Sequence, residues 1–222
     1  MKRLTAMVLA VLMTATLAGC GSAAPAGNTD GNAAAANTGN TVPAANTGNT
    51  ENTAPADNTP SGGNEKKTLV VVFSATGTTK GVAEKIAKIE GADLYEIKAA
   101  QEYTSADLNW HDNSSRTTKE QNDKSVRPQI GSEKISLDGY SRIYIGYPIW
   151  WGEEPRIMDT FVESYSFEGK TVIPFCTSGG SGIGRSGKNL AENAKSGSWK
   201  DGARLGGNAS EADLKAWIDG IK

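Results

Sequence analysis

Thr68–Lys80 reads TLVVVFSATGTTK. Leu69–Phe73 is an unbroken apolar run rich in β-branched residues. That is the pattern of a short strand buried on both faces, as in a parallel sheet. Ser74-Ala75-Thr76-Gly77-Thr78-Thr79 follows at once. Val82, Ile86 and Ile89 then fall at i, i+4 and i+7 while Lys80, Glu84, Lys85 and Lys88 stay polar, which predicts an amphipathic helix. The order is strand, hydroxyl-rich turn, helix. The first N–H groups of a helix lack intrahelical partners and carry the positive end of the helix dipole, so a phosphate is well solvated there. Ser74, Thr76, Thr78 and Thr79 would add hydroxyl donors, and Gly77 lets backbone approach an anion. The loop is neither a GxxxxGK[ST] phosphate loop nor a GxGxxG dinucleotide turn. Taken alone, it reads equally well as an ordinary turn with Ser/Thr caps.

Downstream, Gly91 ends the helix and Leu94–Ile97 alternates as a second strand would at a sheet edge. Ala99–Leu137 is a long polar stretch with a weak helix near Thr117–Asn122; a connection of that length is usually functional or partly disordered. Ile143–Gly146 is the third strand and runs into Tyr147-Pro148-Ile149-Trp150-Trp151-Gly152. Pro155 suits the first turn of a helix with Ile157, Met158, Phe161 and Val162 on its apolar face. Thr171–Phe175 is a fourth buried strand. It leads into Cys176-Thr177-Ser178-Gly179-Gly180-Ser181-Gly182 and a helix over about 184–195. A short fifth strand is expected near Ala203–Leu205. Ser210, with Asp213 three residues on, caps a last helix whose Leu214, Trp217, Ile218 and Ile221 share a face.

Strands alternating with helices predict an α/β fold with an open parallel sheet, and ligands in such sheets bind beyond the carboxyl ends of the strands. The loops 74–79, 147–152 and 177–182 all leave such ends. One is built for phosphate, one is aromatic and rigidified by Pro148, and one is a glycine-rich backbone cradle. Together they describe a pocket for flavin mononucleotide (FMN).

FSATGTT (73–79), NWHDNSSR (109–116), YPIWWG (147–152) and PFCTSGGSGIG (174–184) resemble flavodoxin, in the branch with a long segment after the second strand. The resemblance implies a three-layer sandwich around a five-stranded parallel sheet of order 2-1-3-4-5, with helices on both faces. By it, Ser74, Thr76, Gly77, Thr78 and Thr79 would hold the FMN phosphate. Pro148, Ile149, Trp150, Trp151 and Gly152 would line the isoalloxazine, and Thr177, Ser178, Gly179, Gly180 and Gly182 would close its other side. The function implied is electron transfer with redox-partner proteins. An NAD(P)H-dependent FMN oxidoreductase acting on quinones is the second reading, and a binding module without flavin the third. Many flavodoxin carriers are strongly acidic, for docking to basic partners; in this chain acids and bases nearly balance, with a net charge of −2.

Trp150 and Trp151, being adjacent, point to opposite sides in an extended segment, so one would meet the ring and the other the core. His111 reads as a polar surface residue, Cys176 as a small buried hydrophobe, Trp217 as core, and Arg116 and Arg185 as solvated surface. A single His excludes a His-rich metal site and argues against a Ser-His-Asp triad. The charge balance gives no nucleic-acid signal.

Met1–Cys20 reads as an export signal: Lys2 and Arg3, an apolar run over Leu4–Ala18, then Leu17-Ala18-Gly19-Cys20. That tetrad resembles the lipobox of bacterial lipoproteins, with Cys20 lipid-modified after cleavage and the protein held on the extracytoplasmic face of the membrane. Residues 21–66 are almost wholly Ala, Asn, Thr, Gly and Pro, and AANTGNT occurs at 35–41 and again at 44–50. So polar a segment cannot offset its chain entropy by burial and reads as a flexible tether. The globular domain is 67–222. With Cys20 lipidated, Cys176 is the one remaining thiol, so no intrachain disulfide forms.

Overall fold

The computed structural model describes residues 67–221. The expected export signal, the lipid-bearing Cys20 and the tether lie outside the described residues. β1 (Lys67–Phe73) is buried from Leu69 onward, as its apolar run requires. Its alternate residues serve different layers. Leu69, Val71 and Phe73 join a core with Ile157, Met158, Phe161 and Leu190, whereas Val70 and Val72 pack with Val82, Ile86, Leu214 and Ile218. Both faces of the sheet are therefore covered.

The elements follow in the order α1 (Thr78–Glu90), β2 (Asp93–Ile97), α2 (Arg116–Asn122), β3 (Tyr140–Pro148), α3 (Arg156–Glu163), β4 (Thr171–Thr177), α4 (Ser186–Ala194), β5 (Ser198–Trp199), β6 (Ala203–Arg204) and α5 (Glu211–Ile221). α1 and α5 cover one face; α3 and α4 cover the other. All pairings are parallel and the sheet order is β2-β1-β3-β4-β5, as predicted, with β6 also on β4.

The sixth strand is a difference from the sequence reading, and it has a physical cause. The outer position is filled by β5 and then β6, each of two residues, with Lys200–Gly202 between. Val172 O accepts from Lys200 N and Cys176 O from Leu205 N, so residues of this parity on β4 face the outer edge. Pro174 lies between them and has no N–H to offer. The chain breaks its pairing there and comes in close: a Cβ on Gly202 would sit 2.5 Å from Pro174 O, so only glycine fits. At the last helix, Ser210 Oγ accepts from Asp213 N at 3.1 Å while Asp213 Oδ2 accepts from Ser210 N at 3.3 Å, the reciprocal cap expected.

The segment between β2 and β3 is ordered by local polar turns. Thr104 N donates to Asp107 Oδ2, Ser114 N to Asp112 Oδ1 and Ser125 N to Asp123 Oδ1. Ser115 caps α2 by accepting from Thr118 N. Among the described residues, no helix is long and apolar enough to cross a membrane.

Candidate functional site

β1, β3 and β4 run parallel, so the loops at 74–77, 149–155 and 178–185 leave the same edge of the sheet. The first loop turns at Gly77, φ 86°, and α1 begins at Thr78. That φ is left-handed, which glycine adopts without penalty. No side chain caps this helix and its first turn carries no acid. Thr76 Oγ1 and Thr78 Oγ1 stand 3.5 Å apart at the exposed mouth. Thr79 differs: it is buried, and its hydroxyl bonds the Thr177 hydroxyl at 2.8 Å. Those two hydroxyls are used to tie the start of α1 to the end of β4.

The second loop folds into a tight turn. Trp150 N donates to Glu153 O and Glu153 N to Trp150 O, both at 3.0 Å. Its two central residues, Trp151 and Gly152, have φ 51° and 81°. Positive φ at both central positions is the habit of mirror-image hairpin turns. The paired tryptophans separate here because of this turn, not because of an extended strand. Trp150 is half-buried, its ring meeting Phe73 at 5.6 Å and Tyr103 at 5.2 Å, both edge-to-face. Trp151 stands at the tip, 42% exposed.

The third loop is glycine-rich and open. Ser178 Oγ donates to Ser181 O and accepts from Gly180 N. The N–H groups of Gly179, Ser181 and Gly182 have no partner among the described residues. The loops are joined: Ile149 N donates to Thr177 O at 2.9 Å, and a Cβ on Gly184 would lie 3.6 Å from Gly152 O. Every cofactor-site residue expected from the sequence thus lies on one edge; Cys20 lies outside the described residues. Ser74, Thr76, Gly77 and Thr78 line one side, Pro148–Gly152 the middle, and Ser178, Gly179, Gly180 and Gly182 the other. Thr79 and Thr177 are the latch between them.

Beside the first loop, a cleft of about 310 Å³ opens between the ends of β1 and β2, lined by Phe73, Ser74, Lys80, Glu96, Glu102 and Tyr103. Lys80 and Glu96 pair across it at 2.8 Å. A larger cleft of about 700 Å³ lies at the amino ends of β4 and β5, around Lys170 and Lys195, at the opposite end of the sheet from these loops.

Sequence reasoning did not single out Tyr103, Gln121 or Glu154. Tyr103 is fixed through its hydroxyl on Glu120 Oε2 at 2.8 Å, and the Arg116 guanidinium lies 4.0 Å from its ring centroid. Arg116 also pairs with Glu120 at 2.7 Å, so it is structural rather than solvated. Arg185 is solvated, with only a 3.5 Å approach to Glu192. Glu154 is fully buried behind the turn, and desolvation raises its carboxyl to about 7. No spacing signal marks these residues; the segment carrying Tyr103 and Gln121 has no apolar period. Cys176 is buried, its thiol pushed up to about 12 by burial, and behaves as the small hydrophobe expected. His111 is exposed. Trp217 is half-buried, packed on Tyr144 and Phe175.

The sequence profile described as flavodoxin matches residues 67–221. No curated protein matches the chain. Among solved structures, a candidate flavoprotein from Bacteroides uniformis ATCC 8492 is 48% identical, with TM-score 0.67, over 69% of this chain and 98% of its own. One from Bacteroides eggerthii DSM 20697 is 49% identical, with TM-score 0.66, over 70% of this chain and 97% of its own. A flavoprotein from Lactobacillus acidophilus NCFM, solved in complex with FMN, is 26% identical, with TM-score 0.53, over 70% and 98%. The sheet order, the loop edge and the profile agree, and this chain belongs to the flavodoxin family.

Proposed function

We propose that this protein binds FMN on the three-loop edge and passes electrons to and from redox-partner proteins while tethered to a membrane. The observation that carries the reading is the start of α1: exposed, uncapped, free of acid and flanked by hydroxyls. Such an end stabilises a phosphate dianion. The Lactobacillus relative in complex with FMN supports the choice of flavin nucleotide.

The residues present fit that group. The N–H groups at 78–80, with the hydroxyls of Ser74, Thr76 and Thr78, would take the phosphate; Thr79 contributes its N–H while its hydroxyl stays on Thr177. Trp151, 42% exposed at the tip of the turn, would offer its ring to the isoalloxazine. Trp150 backs the turn through Phe73 and Tyr103. Pro148, Ile149 and Gly152 would line the ring, and the unpartnered N–H groups of Gly179, Ser181 and Gly182 would close the far side. Bound flavin supplies the redox chemistry. The chain's own work is to hold the phosphate, fix the ring and limit its access to water.

Purified protein should take up FMN, seen as a structured visible absorption band, and stay oxidised under anaerobic NADH or NADPH. Rapid bleaching by either nucleotide would make the chain an NAD(P)H-dependent reductase. Protein that stays colourless with excess FMN would leave a module without flavin. The anchor is tested separately: Cys20→Ala should move the protein from the membrane to the soluble fraction, and retention would remove the lipoprotein reading.

A further inference from the structure

Gln121 sits on α2, outside the three loops, and is buried. Its Nε2 donates to Trp150 O at 2.9 Å and to Glu154 O at 3.1 Å. Both partners are carbonyl oxygens, so the amide nitrogen must face them. Its own Oε1 is buried with no partner. An orphaned buried acceptor is unfavourable, so packing alone would favour an apolar residue of that size. What the amide adds is its two donors, and those donors grip the turn at Trp150 O and just beyond it at Glu154 O. The backbone adds a second grip: Arg156 Nη2 donates to Gln121 O at 3.3 Å and to Glu153 Oε2 at 2.5 Å. What is held is strained. Trp151 has φ 51°, and a bulky residue in the left-handed region is a true outlier.

We propose that Gln121 is a positioning residue for the flavin site: its side-chain amide locks the turn that presents Trp151, and flavin affinity depends on that lock. The inference rests on the FMN reading above. It gives the segment between β2 and β3 a task, since α2 is built into that segment and capped by Ser115 within it.

The test uses the full chain. Gln121→Leu removes both donors and the orphaned acceptor at similar volume. Gln121→Met, unbranched and of similar length, also removes both donors and serves where the leucine variant folds poorly. Thr117→Val is the control: it breaks the part-buried bond from Thr117 Oγ1, on the same helix, to Asp107 O without touching the turn. In flavin-free protein, amide exchange read by NMR should lose at least tenfold protection at Trp150 and Glu153 in the Gln121 variants. Val71 and Ile145 in the sheet should keep theirs, and Thr117→Val should spare the turn. FMN titration should then show at least a tenfold weaker Kd for the Gln121 variants and no such change for the control. Unchanged turn protection overturns the inference, as does a loosened turn that binds FMN as tightly as wild type. A wild type that takes up no FMN overturns the flavin reading itself, a result distinct from a wild type and variant that bind alike.

Discussion

Glu154→Gln should change how stability depends on pH, by an amount the surroundings of that carboxyl set. Glu154 is 1% exposed. Its Oε2 accepts from Asn189 Nδ2 at 3.1 Å, and Arg156 Nη1 lies 3.6 Å from Oε1. The same guanidinium faces Glu153 at 2.5 Å and Asp159 at 3.5 Å. Glu153 has the short contact and is correspondingly held below the usual range by Arg156. For Glu154 desolvation wins, with the neighbouring Asp159 charge adding to it, and the carboxyl rises from 4.5 to about 7. The sign follows directly. Below about pH 4.5 the group is protonated in folded and unfolded chains alike, and its contribution is fully present. As pH rises the unfolded chain ionises first, so stability drains until the folded group ionises near pH 7. A tenfold difference in proton affinity between the two states corresponds to about 1.4 kcal/mol, so the loss between about pH 4 and pH 8 is about 3 kcal/mol. The glutamine variant keeps an acceptor for Asn189 but does not titrate. Urea melts of both proteins across that range should therefore show the variant gaining about 3 kcal/mol relative to wild type as pH rises. Asp159, also raised by burial, titrates in both and largely cancels. A flat difference would mean Glu154 is ionised in the fold and held by Arg156, refuting the reasoning.

Two further outcomes bear on the flavin site. Thr76→Val and Thr78→Val each remove one hydroxyl from the mouth of α1; at about 1.5–3 kcal/mol per hydrogen bond to a charged group, each should weaken FMN by roughly tenfold to a hundredfold by fluorescence titration. Both side chains are exposed, so melting should hardly move, and unaltered affinity would place the phosphate elsewhere. Trp151→Gly removes a large aromatic yet relieves a left-handed strain of about 1–2 kcal/mol, offset in part by glycine's chain entropy. Flavin-free protein should then lose no stability while FMN affinity falls; a loss above about 2 kcal/mol would show that the indole packs against the fold instead of waiting for a ligand.

How much of this was legible in the sequence differs between the fold and the site. β1 announced itself because a strand buried on both faces must be apolar throughout. The helices declared their faces at Val82/Ile86 and Leu214/Ile218. Sheet order followed from the family resemblance and the alternation of elements. The split outer strand was not legible, because it depends on Pro174 meeting one backbone site on a neighbour distant in sequence. The three loops could be singled out because glycine and hydroxyl clusters at strand ends are local signals, and the structure brings them to one edge of the sheet. Thr79 shows the limit: its type fits a phosphate contact, but only the third dimension places Thr177 2.8 Å from it. Gln121 and Tyr103 lie beyond that limit altogether, since their partners on the Trp150–Glu154 turn and at Phe73 are reached only by folding.

The strained turn ties these observations into one mechanical unit. A hairpin turn with positive φ at both central positions normally begins with Asn, Asp or Gly; here it begins with Trp151. Left alone, such a turn would relax. Three attachments oppose that: Ile149 N on Thr177 O, Gln121 Nε2 on Trp150 O and Glu154 O, and Arg156 on Glu153. The first continues through the Thr177 hydroxyl to Thr79 and the start of α1, so the proposed places for a phosphate and for a ring share one latch. The second comes from α2 and the third from Arg156 at the start of α3. A turn gripped at several points can hold an exposed indole in a posture that its own backbone disfavours. A net charge of −2 is far from that of a strongly acidic carrier; on the reading proposed here, selectivity would then reside in how that indole and the segment behind it shape access to the flavin.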